Sequence, residues 1–307
     1  MTRNPRILLL TLDAFETIFH PHPSVPEQYA SAAHTFGLST SAITAERLQT
    51  AFKPIYKAQC KARPNYGRNE VILGRYGGPK QWWEEIIRNS FSQAIAEHNA
   101  SNHSASDPID LPEGLVGHLL ERFSSKEGYT LYEDVGPFFS RMRAVKTKGW
   151  GPFDRVLVGV VSNSDDRVPA VLKSLGLRVG EWRADEGVES MRLPGFEERS
   201  SLRDGDSSKN DDVNDVDLVI TSYEAGVEKP SPRIFEVAKR QARALVGPSG
   251  DWTCVHIGDD LEKDYQAAVG AGWDGFFLDR GNDVRTLDGV KVIRSLTDLI
   301  PVLEAYT

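Results

Sequence analysis

Five short apolar runs, each ending in polar residues, set the strongest constraint on this chain. They are Ile7 to Leu12, Arg155 to Ser162, Asp217 to Ser222, Thr253 to Gly258 and Gly275 to Leu278. Continuous runs of this length fit strands buried on both faces, as in a parallel sheet. Helical patterns separate the later runs. Val168, Val171, Leu172 and Leu175 share one face, Ile234, Phe235, Ala238, Ala242 and Leu245 share another, and Leu261 to Ala271 continues the alternation. Strand–helix–strand order at this spacing predicts an α/β fold with a doubly wound parallel sheet. One interval breaks the pattern. Between about Pro21 and Lys126 there are helical stretches (Glu27–Phe36, Ala45–Lys61, Pro79–Glu97, Pro112–Ser124) and no strong strand. The economical reading is a helical domain, residues 21–126, inserted after the first strand, with residues 1–20 and 127–307 forming the α/β core. A length of 307 residues suits two domains, here nested rather than consecutive.

Composition narrows the function classes. Two cysteines, Cys60 and Cys254, cannot make a disulfide framework or a four-cysteine zinc site. The net charge of −8 argues against a nucleic-acid footprint. The longest apolar run is about five residues, far short of the ~20 that span a bilayer, and the N-terminus lacks a signal-peptide cleavage pattern. The expectation is a cytoplasmic protein with no nucleic-acid or membrane partner, with nuclear and mitochondrial locations left open and the oligomeric state unreadable. Most of the acidity is local. Residues 183–217 hold eleven acids against five bases, so six of the eight net negative charges lie there. This segment lacks periodicity and is expected to be a disordered acidic loop. A second polar loop is expected at Asn99–Asp107.

Ligands of open α/β sheets bind at the carboxyl ends of the strands, and four such ends carry chemistry here. The first run ends in Asp13, followed by Phe15, Glu16 and Thr17. The second ends in Ser162-Asn163-Ser164-Asp165. The third leads to Glu228-Lys229-Pro230. The fourth ends in Gly258-Asp259-Asp260, with Asp264 five residues after Asp259. Packed carboxylates repel and raise one another's pKa. A hard cation relieves this, and Mg²⁺ takes one or two carboxylates plus water and substrate oxygens. A serine and a lysine beside them would hold an anion such as phosphate. Taken singly, each residue has a blander reading as a helix cap or turn former. Trp82, Trp83 and Trp150 read as packing residues before pocket lining. His256 reads as a packed strand histidine, His20 and His22 lack the further ligands a zinc site needs, and Lys57, Lys61, Arg63 and Arg68 read as a solvated helix face.

The four strand ends, in this order, resemble the motifs of the haloacid dehalogenase superfamily: Leu-Leu-Thr-Leu-Asp13-x-x-x-Thr17, Val-Val-Ser162-Asn163, Glu228-Lys229-Pro230-Ser-Pro-Arg-Ile-Phe and His-Ile-Gly258-Asp259-x-x-x-x-Asp264-Tyr. Pro64-Asn65-Tyr66-Gly67, Gln81-Trp82-Trp83 and Asp264-Tyr265-Gln266 resemble one narrower group within it. The resemblance implies a Rossmann-like core and a mobile helical cap that excludes water and selects a small phosphorylated or other anionic substrate. It implies that Asp13 is a nucleophile forming an aspartyl intermediate and that Lys229 assists catalysis. Thr17, Ser162, Asn163 and Lys229 would bind the phosphoryl group, and Asp13, Asp259 and Asp264 would hold Mg²⁺. One position departs from the phosphatase pattern. Two residues after the nucleophile those enzymes carry an aspartate general acid/base, and here stands Phe15. Loss of such a group costs ~10²–10⁴-fold, and Glu16, one residue on, should point another way. The true dehalogenases carry an aromatic residue there but lack the Gly-Asp motif kept here as Gly258-Asp259. The expectation is therefore a Mg²⁺-dependent phosphatase of weak or atypical turnover. The alternatives are a non-catalytic phospho-ligand or protein-binding module and a 2-haloacid dehalogenase.

Overall fold

The computed structural model describes residues 3–101, 110–184, 193–196, 213–281 and 288–306. The described residues fall into two compact units. One is drawn from Met1–His20, Leu131–Arg192 and Arg199–Thr307, the other from Pro21–Thr130 and Leu193–Glu198. In chain order the elements are β1 (Arg6–Leu12), β2 (Phe19–Pro21), α1 (Val25–Thr35), α2 (Ala45–Ala62), α3 (Pro64–Ile72), α4 (Pro79–Ser101), α5 (Leu115–Arg122), β3 (Tyr129–Leu131), α6 (Val135–Lys148), β4 (Arg155–Ser162), α7 (Val168–Ser174), β5 (Val179–Arg183), β6 (Val216–Thr221), α8 (Ser222–Ala225), α9 (Arg233–Val246), β7 (Asp251–Gly258), α10 (Ala267–Gly270), β8 (Asp274–Leu278), β9 (Val292–Ile293) and α11 (Leu299–Glu304). β2 and β3 pair with each other where the chain passes between units.

The first unit is an α/β fold built on a seven-stranded sheet in the order β5-β6-β4-β1-β7-β8-β9, and its strand pairs are parallel. β1 is central because both of its faces are apolar. Leu8, Leu9, Leu10 and Leu12 are fully buried, as an unalternated run requires. The chain extends the sheet to one side of β1 through β4, β6 and β5. It then returns to pair β7 on the other side of β1 and continues outward to β8 and β9. Winding reverses beside β1, so the crevice that α/β sheets use for ligands opens at the end of that strand.

The doubly wound sheet agrees with the expectation, and several elements refine it. β5 carries only Val179 as a buried apolar residue. It is a short, polar edge strand without the apolar run that marks the others. Helix α6 buries Val135, Phe138, Phe139, Met142 and Val145 at helical spacing, in a stretch to which the sequence reading gave no element. The acidic segment is shorter at both ends than 183–217. Arg183 closes β5, and Val216 and Asp217 open β6. Asp215 is buried, pairs with Arg143 and accepts from the Arg178 amide at 2.9 Å. Asp217 pairs with Lys146 at 2.7 Å and accepts from the Val158 amide at 2.8 Å. Two of the eleven acids therefore belong to the folded unit. The expectation of disorder elsewhere in the segment falls on residues 185–192 and 197–212, outside the described residues. The loop expected at Asn99–Asp107 begins later, because α4 runs to Ser101, and residues 102–107 also lie outside them.

The second unit is helical among its described residues, apart from its ends of β2 and β3. Thr44 caps α2 by accepting from the Arg47 amide at 3.2 Å, and Ser24 with Glu27 forms a capping box on α1. Trp82, 2 % exposed, packs with Val71, Tyr76 and Ile86. Trp83, Phe52, Ile55, Tyr66 and Leu193 lie against that cluster. Trp82 is thus a core residue of this unit, and Trp150 is buried in the other, as the packing interpretation expects. Asn65, Tyr66 and Gly67 take left-handed backbone angles in succession, φ 47°, 61° and 72°. Only a glycine fits the third of these positions, since a Cβ on Gly67 would lie 2.5 Å from the Tyr76 ring.

Candidate active site

The end of β1 delivers Asp13, whose amide donates to the Ile257 carbonyl at 2.8 Å. That bond carries the β1–β7 ladder one residue beyond the strand and sets Asp13 beside the end of β7. Lys229 stands opposite. Its Nζ donates to Asp13 Oδ1 at 2.9 Å, Asp264 Oδ1 at 2.5 Å and the Val161 carbonyl at 2.9 Å. An ammonium has three protons, and all three are committed here. The Lys229 and Asp264 side chains are 2 % and 1 % exposed, while Asp13 is 15 % exposed. Carboxylate oxygens of Asp13, Asp259 and Asp264 lie within 4.8 Å of one another.

Each partner is held by a local device. Asn163 accepts from the Lys229 amide at 2.7 Å and donates Nδ2 to the Lys229 carbonyl at 2.8 Å. Its side chain fastens the lysine loop to the end of β4. Thr17, fully buried, donates its hydroxyl to Asp259 Oδ1 at 3.0 Å. The Ser162 hydroxyl lies within hydrogen-bonding reach of Asp13. Asp264 sits in a π-helical turn, Leu261–Gln266, rather than in the regular helix expected over 261–271. That turn carries Asp264 inward, where Oδ2 accepts from the Asp260 amide at 3.0 Å and Oδ1 from Lys229 and from His256 Nε2 at 3.1 Å. Gly258 makes the approach feasible, since a Cβ there would lie 2.1 Å from the Asp264 carboxyl.

The electrostatics follow from burial and crowding. Burial pushes the Asp13 carboxyl up and the Asp264 charge adds to this, while Lys229 opposes both. Asp259 is raised to about 7, first by burial and then by the charges of Asp13 and Asp264. Burial disfavours the Lys229 charge, but Asp13 and Asp264 outweigh it and hold the ammonium above its usual range. Asp264 is likewise buried, yet Lys229 and His256 hold its carboxyl below the carboxylate range. One cation among three carboxylates leaves net negative charge, with Asp259 carrying the least compensation.

The structure brings Asp13, Thr17, Ser162, Asn163, Lys229, Asp259 and Asp264 to one end of the sheet. Phe15 makes an edge contact with Phe19, ring centroids 4.8 Å apart. Glu16, at φ 55°, accepts from the Tyr132 hydroxyl at 2.7 Å. Two supports escaped the sequence reading. Thr11 lies 2.9 Å from His256 Nδ1, and a hydroxyl inside an unbroken apolar strand was the available signal. Arg280 donates to the Thr17 carbonyl at 2.7 Å and to Asp134 at 3.1 Å, and stacks over Tyr132 at 3.8 Å. Nothing in the local pattern links these distant residues.

Residues 227–299, which hold Lys229, Asp259 and Asp264, match the HAD-hydrolase-like family model. This match, with the relatives that follow, supports membership of the haloacid dehalogenase superfamily. Haloacid dehalogenase-like hydrolase domain-containing protein 3 of Mus musculus is 27 % identical over 309 residues, covering 99 % of this chain and 96 % of that protein. The Homo sapiens protein of the same name is 26 % identical over 309 residues with the same coverage. Among solved structures, a 2-haloacid dehalogenase from Pseudomonas syringae matches with a TM-score of 0.52 and 16 % identity, covering 98 % of this chain and 100 % of that one. At that identity the likeness bears on the superfamily fold alone. Among the described residues, no helix is long and apolar enough to cross a membrane.

Proposed function

We propose that this haloacid dehalogenase superfamily member is a Mg²⁺-dependent phosphohydrolase with Asp13 as nucleophile. The observation that carries the reading is the Lys229 ammonium held between Asp13 and Asp264, with Asp259 in the same oxygen cluster. The donor set fits a small hard cation. It is all carboxylate oxygen, it carries surplus negative charge, and Asp259 is destabilised as an anion in the absence of a counter-ion. Asp13 and Asp259 would hold the ion. Asp264, with both oxygens already accepting hydrogen bonds, would support from behind. Bound there, Mg²⁺ would neutralise charge on the phosphoryl oxygens.

The chain's own residues do the rest. Lys229 fixes one Asp13 oxygen and favours the ionised, nucleophilic carboxylate over the protonated form. Ser162, buried at the end of β4 beside Asp13, supplies the hydroxyl that would meet the phosphoryl group. Asn163 and Thr17 serve it indirectly, by fixing the Lys229 backbone and Asp259. Asp13 attacks phosphorus as the ester bond breaks, and the departing oxygen takes the electron pair of that bond. Water then cleaves the aspartyl phosphate, returning the carboxylate and releasing dihydrogen phosphate, which loses a proton to solvent.

Two measurements test this on the purified chain. Turnover of 4-nitrophenyl phosphate should require Mg²⁺ and fall at least about 10³-fold in Asp13→Asn. Saturating Mg²⁺ should raise the melting temperature, because a ligand of the native state stabilises it. Asp259→Asn should be more stable than the parent without metal, by about 2–5 °C, and should lose the Mg²⁺ increment. Turnover that survives chelation, or in Asp13→Asn, would contradict the proposal.

A further inference from the structure

A phosphoryl transfer needs two things at the leaving oxygen: room for it to depart, and either a proton or an intrinsically stable anion. The proton inventory around Asp13 decides between these. Lys229 donates its three protons to Asp13, Asp264 and the Val161 carbonyl. The Thr17 hydroxyl proton is on Asp259, and the Asn163 amide is on the Lys229 carbonyl. The Ser162 hydroxyl faces Asp13. Phe15 has no proton to give. The one other carboxyl in the turn after Asp13, Glu16, is exposed, adopts φ 55° and accepts the Tyr132 hydroxyl. Tyr132 is itself fixed beneath the Arg280 guanidinium, which Asp134 and the Thr17 carbonyl hold in place. Among the described residues of the α/β unit, the other side-chain donors nearest Asp13 are committed elsewhere, and Asp259, the carboxyl that would hold Mg²⁺, carries no proton when the ion is bound.

Resting on the phosphohydrolase reading, we infer that the site selects phosphoryl donors whose leaving group departs as a stable anion, namely acyl and aryl phosphates, and discriminates against alkyl monoesters. The step balances without a proton donor. The Asp13 carboxylate forms the new P–O bond, the bond to the leaving oxygen breaks, and that oxygen keeps the electron pair as a carboxylate or phenolate. An alkoxide would need a proton that no uncommitted side chain among the described residues of the α/β unit is placed to supply. The lost acid contribution is worth ~10²–10⁴-fold, and it should fall almost wholly on poor leaving groups.

The experiment is a leaving-group series with Mg²⁺ present: acetyl phosphate, aryl phosphates of graded phenol acidity, and an alkyl phosphate such as glycerol phosphate. kcat/KM should fall steadily with rising leaving-group pKa, and the alkyl ester should turn over at least about 10³-fold more slowly than the most activated aryl ester. Phe15→Asp should narrow that gap by raising alkyl turnover about 10²-fold or more. Tyr132→Phe should leave the alkyl-to-aryl ratio as it is. A flat series, with alkyl and aryl esters within tenfold of each other, would overturn this inference alone, because a donor must then reach the leaving oxygen. A ratio that collapses further in Tyr132→Phe would overturn it too, and would name the donor. No turnover of any member, acetyl phosphate included, would remove the phosphohydrolase reading and this inference together.

Discussion

His256 shows how much of the site is arranged behind the residues that would touch substrate. It is fully buried in β7, edge-on to Phe235 with ring centroids 5.0 Å apart. Burial pushes its pKa down, so the ring is neutral, although its bond to Asp264 works the other way. A neutral imidazole has one donor and one acceptor. Donation from Nε2 to Asp264 leaves Nδ1 as the acceptor facing the Thr11 hydroxyl at 2.9 Å, whose one proton is shared with the Val255 carbonyl at 3.2 Å. The chain Thr11–His256–Asp264–Lys229–Asp13 thus runs from inside the sheet to the nucleophile. His256→Gln, which keeps a donor near the Nε2 position, should cost about 1 kcal/mol. His256→Leu should cost about 2–3 kcal/mol, because a buried carboxylate loses a donor. Denaturant unfolding of the two variants checks this, and equal losses would mean that packing, not the hydrogen bond, sets the cost.

At the scale of elements, the strand ends were legible because each is a break in a pattern. An apolar run that stops at an acid, a serine or a glycine marks a strand meeting solvent at the ligand edge of the sheet. What the pattern could not carry is the shape of the turn after β7. Periodicity over Leu261–Ala271 suggests a plain helix, but the first six residues form a wider π turn. The wider turn is what allows Asp264 to reach the Asp260 amide and Lys229 together, and π turns gather at functional sites for such reasons. Gly258 and Asp264 therefore act as a pair across six residues. Gly258→Ala would drive a methyl into the Asp264 carboxyl, with backbone on one side and a fully hydrogen-bonded side chain on the other. The variant should lose about 3 kcal/mol or more of stability, read as a fall in melting temperature. A parent-like melting temperature would mean that the turn relaxes freely. The edge strand β5 and helix α3 went unread for a different reason. Each buries only one or two residues, so tertiary neighbours, not local pattern, define it.

For the whole molecule, the charge distribution was the least transparent property. A chain at −8 looks unsuited to an anionic substrate. Yet the acids crowd into one segment, and two of them, Asp215 and Asp217, are neutralised inside the α/β unit by Arg143 and Lys146. A hundred residues without a strong strand do not fit a parallel sheet, which is why the sequence sets residues 21–126 apart; the compact unit found there is Pro21–Thr130 with Leu193–Glu198. The long-range supports were not legible. Arg280 reaches Thr17 across 263 positions of sequence, and no local spacing encodes that. The central claim is that Asp13 carries the phosphoryl group, and the most direct test is to trap it. Rapid acid quench of the chain turning over acetyl phosphate with Mg²⁺, followed by peptide mass spectrometry, should find a phosphoryl adduct on the peptide containing Asp13 and none in Asp13→Asn. Sustained turnover with no adduct on that peptide, or an adduct on another residue, would contradict the account.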